Sequence, residues 1–455
     1  MAQSKRTGFT LTRCQGQSAI ATAFCRRSAE WGVGGFALSN WPRYTSGVMS
    51  KGPWVLLPLL GAALFSSVTH AQIDPEERRL IQLGYNQPIE GRGPIAGYGF
   101  YYYNQPAFLR TNLTLRLSVA PIYLDTELGF SRLLGPNTDV AVGLSGGGFA
   151  DSYSEVRRGV FREEESFTGH GGGMSASLFH RFNPDSIIPG WFVVKATGHH
   201  TVFERDSDTH PDFMLPSDIT LFRLRSGIRM GGQEPTMTAP LATELSIWHE
   251  AEFRANHGPY GYAGDRRVES DSHLFWARAL GKYTFGEMEQ SAALSLTAGA
   301  SVEADRFSAY RLGGLLPFAS EFPLNLPGYY FQELSAKRFL LLNGSYAFPL
   351  DAGRRWSLTA FGGTGWVDYL NGLEQPGDWH SGLGGGITFT SPRTSWFVTL
   401  VYSHGFDAIR SHGRGANQIG ILFQYDFEAR RHGRARPFDP AVSPYRSRGG
   451  EKLFR

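Results

Sequence analysis

The feature that most constrains the fold of this 455-residue chain is a two-residue alternation of apolar and polar side chains that recurs along its length. Residues 112–119 read NLTLRLSV, and residues 243–253 read TELSIWHEAEF. A period of two places alternate side chains on opposite faces of a β-strand. Segments of this kind occur about fifteen times, so the sequence predicts an all-β fold.

Two architectures use long strands with one apolar and one polar face: a soluble β-sandwich or propeller, and a transmembrane β-barrel. The segments suit the ~9–11 residues that a tilted strand needs to cross a bilayer. Short turns also alternate with long gaps, as in membrane barrels. These long gaps lie near 152–170, 203–217, 256–271, 305–336 and 368–379. The pattern favours a closed transmembrane antiparallel β-barrel of about 16 strands over residues 96–427.

Aromatic residues near the ends of the predicted strands suggest the girdles that such barrels place at both membrane interfaces. The residues in question are Tyr101, Tyr102, Tyr103, Trp191, Trp276, Trp366, Trp396 and Tyr425. Charged residues fall on the opposite face from the apolar ones, which the barrel model assigns to the lumen. Arg223, Arg225 and Arg229 are three such lumen charges.

Residues 49–71 have the parts of a secretory signal peptide. Lys51 provides a positive start, residues 54–65 are mainly apolar, and small residues precede a cleavage point after Ala71. The apolar run is shorter than the ~20 residues of a transmembrane helix. An uncleaved membrane anchor is the alternative interpretation.

The signal peptide divides the N-terminal part of the chain. Because Met49 stands directly before it, residues 1–48 are interpreted as an upstream segment that is not a domain. Residues 72–95 are predicted to be a short periplasmic lead into the barrel. Both cysteines, Cys14 and Cys25, lie upstream, so the mature chain is predicted to contain no disulfide.

The last alternating segment is similar to the C-terminal β-signal of bacterial outer-membrane proteins. A polar residue, a glycine and spaced aromatic residues carry the similarity: Gln418, Gly420, Phe423, Tyr425 and Phe427. The resemblance implies recognition by the barrel-assembly machinery during insertion. Residues 428–455 continue past this strand as a basic tail rich in Pro and Gly, which is predicted to be disordered.

Residues 311–350 resemble the bacterial surface antigen superfamily, whose barrels include the assembly factors BamA and TamA. The matching residues are Leu312, Gly313, Gly314, Leu326, Pro327, Gly328, Tyr329 and Glu333. The resemblance implies a sixteen-stranded barrel whose long loop folds into the lumen and contacts the wall with its tip. Proline stands where the family's tip carries an arginine, and it cannot form that residue's charge-assisted bonds. The short lead also leaves no room for a periplasmic POTRA domain.

Signals of catalysis and of cofactor binding are weak. The chain lacks a G-x-S-x-G nucleophile motif, and His199, His200, His249 and His404 are isolated, without an acidic partner at a metal-ligand spacing. The glycine-rich runs 169–175 and 382–387 are interpreted as strand glycines that face a crowded lumen. The prediction is a non-enzyme without cofactor or metal. The net charge of +3 gives no indication of a nucleic-acid partner.

The barrel pattern and the signal peptide predict a protein of the cell outer membrane. Two functions are consistent with this location. The first is a structural or assembly-related role that acts on lipid or on other barrels. The alternative is a passive or gated pore for small solutes, which the predicted lumen arginines would line. Expected partners are outer-membrane lipid, the barrel-assembly machinery during insertion, and other outer-membrane or periplasmic proteins. A soluble sandwich enzyme is a weaker third possibility.

Overall fold

The computed structural model of the chain describes most of the residues after position 76. The described ranges are 77–94, 96–186, 188–231, 243–285, 290–316, 322–393, 395–411 and 413–428. Among them, no helix is long and apolar enough to cross a membrane. The predicted signal peptide, the segment before it and the tail beyond Glu428 lie outside the described residues.

Within these ranges the chain forms twenty-one β-strands. In chain order they are β1 (Arg78–Pro88), β2 (Ala96–Pro106), β3 (Leu113–Ala120), β4 (Tyr123–Phe130), β5 (Thr138–Gly147), β6 (Tyr153–Arg157), β7 (Val160–Arg181), β8 (Gly190–Arg205), β9 (Phe213–Met214), β10 (Ile219–Gly231), β11 (Thr243–Ala255), β12 (Gly258–Tyr262), β13 (Arg266–Val268), β14 (Asp271–Phe285), β15 (Gln290–Val302), β16 (Tyr310–Leu312), β17 (Leu334–Pro349), β18 (Trp356–Tyr369), β19 (Trp379–Thr390), β20 (Trp396–Arg410) and β21 (Gly413–Asp426).

Sixteen of these strands form the wall of one closed antiparallel barrel. Each wall strand pairs with the next one along the chain, and β21 pairs with β1 over nine residue pairs, from Leu80↔Asp426 to Pro88↔Gln418. Closure removes the open sheet edges that lipid would not tolerate. The predicted closed barrel is therefore confirmed. The short strands β6, β9, β12, β13 and β16 belong to connections between wall strands.

The wall has an apolar outer face and a largely polar inner face. On β11, Leu245 and Ile247 point outward and are exposed, whereas Glu244 and Ser246 are buried on the inner face. This order, apolar outside and polar inside, is the reverse of a soluble protein and is typical of a barrel that lipid surrounds.

The two rims of the barrel differ in the length of their connections. The five long connections predicted from the sequence all leave the wall at one end, here called the long-loop rim. They cover residues 148–159, 206–218, 256–270, 303–333 and 370–378. At the other end, the short-turn rim, neighbouring aromatic rings form part of a girdle. These neighbours are Trp356–Phe389, Phe389–Trp396, Trp396–Phe423 and Tyr425–Phe427, with ring centroids 4.8, 5.5, 6.4 and 4.8 Å apart.

The predicted start of the barrel at residue 96 is wrong. Residues 78–88, assigned above to a periplasmic lead, form β1, which pairs with both β2 and β21. Its inner face mixes Leu80 with Gln82 and Gly84, so the alternation of apolar and polar residues is weak. The closed topology, rather than local pattern, places this strand in the wall.

Two further expectations need correction. Trp191 and Trp276 are buried on the inner face and pack in the main core cluster, so they do not belong to an interfacial girdle. Much of the predicted long loop 152–170 is a hairpin of β6 and the first part of β7, joined by Arg158 and Gly159. Its charged residues hide a strand pattern because the hairpin lies above the wall proper, where Glu155 and Glu165 are buried beside the aromatic residues Tyr153 and Phe167.

Candidate functional site in the barrel lumen

The connection 303–333, here called the plug, folds into the barrel instead of standing out from the rim. Its apolar side chains Leu312, Leu315, Leu316 and Leu326 are buried, although the plug joins two strands at their exposed ends. The inward fold expected from the family resemblance is therefore present.

A double-glycine turn redirects the chain at the start of the plug. Leu312 pairs with β17, after which Gly313 and Gly314 take φ values of 130° and 90°. This left-handed region favours glycine, since a side chain there is strained. Gly313 N donates to Leu324 O at 3.0 Å and Leu326 N donates to Gly314 O at 3.1 Å. The turn thus holds the two ends of the motif side by side.

The tip of the plug rests on wall positions that lack side chains. A Cβ at Gly382 of β19 would overlap the Pro327 carbonyl oxygen, whereas one at Gly363 of β18 would overlap Asn343 Oδ1 and make an ordinary contact, 3.4 Å, with Pro327 Cδ. Gly328, at φ 85°, lies against the backbone of Gly405 of β20. These three wall glycines, here called the glycine seat, let the plug backbone approach the wall closely. For Gly382, this agrees with the sequence interpretation of a glycine in a crowded lumen.

A buried ion pair fastens the plug to the wall. Arg410 of β20 donates from Nη1 to Glu333 Oε1 at 2.9 Å and from Nη2 to Glu333 Oε2 at 3.0 Å. The guanidinium also lies 3.6 Å from the centroid of the Tyr330 ring. Tyr330 N donates to Glu333 Oε2 at 2.8 Å. A charge-assisted bond between plug and wall therefore exists, with the cation on the wall and the anion on the plug.

A histidine joins the plug tip to the wall beside this pair. The Nδ1 atom of His380 on β19 lies 3.1 Å from the Tyr329 hydroxyl, and its Nε2 atom is hydrogen-bonded to the Tyr369 hydroxyl. His380 is fully buried. Both ring nitrogens of this imidazole are thus engaged, which fixes the position of Tyr329.

The plug reaches opposite sides of the lumen. Near its start, Leu315 packs in a cluster with Leu422 of the last wall strand. Further along, Phe322 lies 5.6 Å from the Trp248 ring and 5.7 Å from the Trp276 ring. Those tryptophans belong to β11 and β14, about half of the wall away from β21. The plug therefore crosses the barrel rather than lining one side.

The β6–β7 hairpin extends over the mouth at the long-loop rim. Gly159 at its tip lies against the backbone of Ile409 on β20, leaving no space for a Cβ. Arg311 of the plug donates to Ser154 O at 2.6 Å and lies 5.0 Å from the Tyr153 ring centroid. The hairpin thus acts as a lid that contacts both the far wall and the plug beneath it.

An aromatic core with buried charges stabilises the lid. Its buried rings pack together with Phe307 of the plug: Tyr153, Phe167, Phe203, Phe213 and Tyr260. Arg266 forms ion pairs with Glu165 and Glu155. Burial alone would lower the pKa of Arg266, but these two carboxylates raise it on balance. Burial also raises the pKa of Tyr153 and of Tyr260, so both remain protonated.

The three arginines predicted to face the lumen do so, and each has a carboxylate partner on β11. Arg223 pairs with Glu252 at 2.5 Å and Arg225 with Glu250 at 2.7 Å. The Nε atom of Arg229 lies 3.8 Å from Glu244. In the described part of the chain, no group of three His, Cys, Asp or Glu side chains is placed to hold a metal ion.

The residues of the predicted β-signal lie on both faces of the last wall strand. Gln418 and Gly420 face inward, where a Cβ at Gly420 would crowd Val401. Phe423 and Tyr425 face outward near the short-turn rim, and Phe427 follows directly after the strand. Recognition by the assembly machinery stays a prediction.

Sequence reasoning found the plug residues but missed their partners on the wall. Arg410 and His380 of the wall carry no motif and lie far in sequence from the plug residues that they contact. The glycine run at 382–387 was the one available signal, since glycines inside a strand often mark a close approach of another backbone.

The fold and the site together define a transmembrane β-barrel whose lumen is occupied by its own inward-folded connection. Among solved structures, the chain is similar to CdiB from Escherichia coli, with a TM-score of 0.51 and 12% identity over 78% of this chain. It is also similar to CdiB from Acinetobacter baumannii (0.47, 10%, 77%) and to BamA from Haemophilus ducreyi lacking POTRA domains 1–3 (0.48, 10%, 77%). The match to CdiB from Escherichia coli agrees with the closed barrel fold predicted from the sequence.

The match covers 63% and 60% of the two CdiB chains and 71% of the BamA chain. The chain thus spans about three fifths of the length of the CdiB proteins. No protein-family model and no curated protein sequence matches it.

Proposed function

We propose that this protein has a structural or assembly-related role in the cell outer membrane, acting on lipid or on other barrels rather than passing solutes. The observation that carries the proposal is the plug, which crosses the lumen and is fixed to the wall by the buried Glu333–Arg410 pair. A lumen closed in this way leaves the outer wall and the rims as working surfaces.

One side of the outer wall has short strands that suit such a role and is here called the low side. Strands β3 and β4 have eight residues each, fewer than the ~9–11 of a typical membrane strand. Lipid beside a short hydrophobic surface thins to match it, at a modest cost. A locally thinned bilayer would lower the barrier for other strands to insert, which links the shape of the wall to assembly.

The proposed partners follow from the two faces of the wall. Lipid contacts the outer apolar face, and the barrel-assembly machinery binds the last strand during insertion through Gln418, Gly420 and the outward aromatics. Other outer-membrane or periplasmic proteins would meet the barrel at its low side.

An insertion assay in liposomes tests the assembly role. The barrel is reconstituted into bilayers of two thicknesses, and the folding rate of an unfolded outer-membrane barrel client is measured. We expect faster insertion than into protein-free liposomes, with the larger gain in the thicker bilayer. An equal rate with and without the barrel in both bilayers would contradict the proposal.

A gated pore is the second candidate function. It is favoured by inner-wall charges that water still reaches, including Arg223 and Arg225. Under this alternative the plug would have to leave its seat for solute to pass. Single-channel recordings separate the two, since a gated pore would open in large discrete steps without any substitution.

A further inference from the structure

The lumen contains a layer of water-accessible side chains between two closed layers. On β8, the inward residues Val193 and Phe203 are buried, whereas Lys195 and Thr197 between them are partly exposed. On β7, Gly173 and Ser175 are likewise partly exposed between the buried Phe167 and Ser177, and on β5, Gly143 and Ser145 are partly exposed beyond the buried Ala141. Water reaches these inner-face side chains between two packed layers. They therefore line a cavity, here called the chamber.

One side of the chamber is acidic. Asp125 of β4 faces inward with a side chain that is 37% exposed. Arg116 of β3 lies 3.6 Å from Asp125 and 3.6 Å from the buried Glu127. Two carboxylates thus share one guanidinium, which leaves an excess negative charge with the accessible oxygen atoms on Asp125.

The other side of the chamber is basic. Lys195 of β8 and Arg225 of β10 are cross-strand neighbours, and Arg223 lies two pairs further along, opposite Thr197. Their acidic partners, Glu250 and Glu252, are buried, whereas the Arg223 side chain is 38% exposed. A third carboxylate, Asp151, is hydrogen-bonded to His199 and Thr201 of β8, so the accessible positive charge on this side is that of Lys195 and Arg223.

Small residues separate these two sides. The inner faces of β5 and β7 present Gly143, Ser145, Gly173 and Ser175 at this level. The distance from β4 to β8 is three strand spacings, or roughly 14 Å at ~4.8 Å each. At the lower edge, beside Lys195, the Ser177 side chain is buried and its hydroxyl has no hydrogen-bond partner among the described residues. A polar group in such a position calls for a ligand or water.

The wall beside the chamber is low at β3 and β4. The highest pair between β2 and β3 is Tyr101↔Val119, and β3 and β4 are joined by the two-residue turn 121–122. Strand β7, which follows β5 in the wall, continues well above this level. Above the low turn, Arg92 of the β1–β2 connection lies 2.7 Å from Glu163 of β7.

We propose that the chamber binds a small zwitterion of the size of an amino acid or dipeptide. Its ammonium group lies on Asp125 and its carboxylate on Lys195 and Arg223. The size follows from the gap between the two sides, because an extended peptide spans ~3.3–3.6 Å per residue and the wall side chains fill the remainder. Opposite charges on facing walls select a ligand that carries both charges.

Isothermal titration calorimetry on the full barrel in detergent tests this proposal, using three probes. Glycylglycine carries both charges, N-acetyl-glycylglycine lacks the ammonium and glycylglycinamide lacks the carboxylate. We expect glycylglycine to bind and each capped peptide to bind at least about tenfold more weakly, as for the loss of one hydrogen bond to a charged group. Absence of binding, or equal affinity for a capped peptide, would overturn the proposal.

Substitutions assign the two ends. Asp125→Asn should weaken the binding of glycylglycine about tenfold and leave the affinity of N-acetyl-glycylglycine unchanged. Arg223→Gln should also weaken the binding of glycylglycine about tenfold, but leave the affinity of glycylglycinamide unchanged. Asp368→Asn and Arg338→Gln are matched controls, because this ion pair on the outer side lies away from the chamber. Equal losses in the controls would contradict the assignment. If a variant fails to show a folded band on an unheated gel, the three-probe comparison on the unsubstituted protein still tests whether the chamber prefers a zwitterion.

Discussion

Arg410 and Glu333 form a bidentate ion pair, almost fully buried, that joins wall strand β20 to the plug. The family resemblance led us to expect an arginine at the plug tip and carboxylates on the wall. This chain has the reverse arrangement next to the tip, while Pro327 fills the glycine seat. The position of the pair makes it the main fastener between plug and barrel.

Removing either member of this pair should destabilise the barrel strongly. Glu333→Gln or Arg410→Met leaves a buried charge without its partner, which costs about 3–5 kcal/mol. Replacing both removes both charges, so the double variant should lose less than the sum of the single losses. Urea unfolding in detergent, followed by the folded band on an unheated gel, measures these differences. Additive losses would show that the pair does not act as a unit.

The glycine seat should not tolerate a methyl group. Gly382→Ala would place a Cβ on the Pro327 carbonyl oxygen, so the plug tip must shift, at about 1–3 kcal/mol for overpacking. We expect greater protease cleavage within the plug. Gly281→Ala is the matched control, because a Cβ there has no atom within 4 Å. Equal cleavage of the two variants would exclude the seat as the cause.

Restoring the family's tip arginine should loosen this plug rather than tighten it. Pro327 is buried against Gly363 and Gly382, so Pro327→Arg brings a long charged side chain into a filled site beside the existing ion pair. We expect a lower unfolding midpoint than for Pro327→Ala, which removes atoms without adding charge. A higher midpoint for the arginine variant would show that the wall still holds a carboxylate ready for it.

The lid should depend on its buried charges. Arg266→Met removes the most deeply buried of the cations around Glu165 and Glu155 and leaves Arg157 and Arg306, whereas Arg267→Met alters the adjacent, exposed arginine. We expect faster proteolysis of the β6–β7 hairpin in the first variant, because two buried carboxylates then share less positive charge. The second variant should resist cleavage as the unsubstituted protein does. Similar digestion of both would contradict a structural role for Arg266.

Alternation predicted most of the wall because lipid outside and polar contacts inside impose opposite demands on neighbouring residues. On β11, Leu245 is exposed on the outer face, whereas its neighbour Glu244 is buried on the inner face. The same signal fails where the inner face is apolar. Trp276 packs on the plug through Phe322, so it looks like a girdle residue in the sequence although it lies in the core.

The candidate site, too, could be predicted from the sequence only in part. The double glycine at 313–314 and the tip residues are visible in sequence because their backbone angles restrict residue type. The wall residues that receive the tip are not visible, since Arg410 and Glu333 are 77 residues apart and meet only when the barrel closes. Strand β1 was missed for a related reason, because its place depends on pairing with the last strand.

Planar-bilayer conductance tests the central claim, that the plug closes the lumen. The unsubstituted barrel is compared with a variant in which residues 315–326 are replaced by a short Gly/Ser linker that rejoins the double-glycine turn to Pro327. We expect little or no steady current for the unsubstituted protein and a large, stable conductance for the variant. A large, steady conductance of the unsubstituted barrel would contradict that claim.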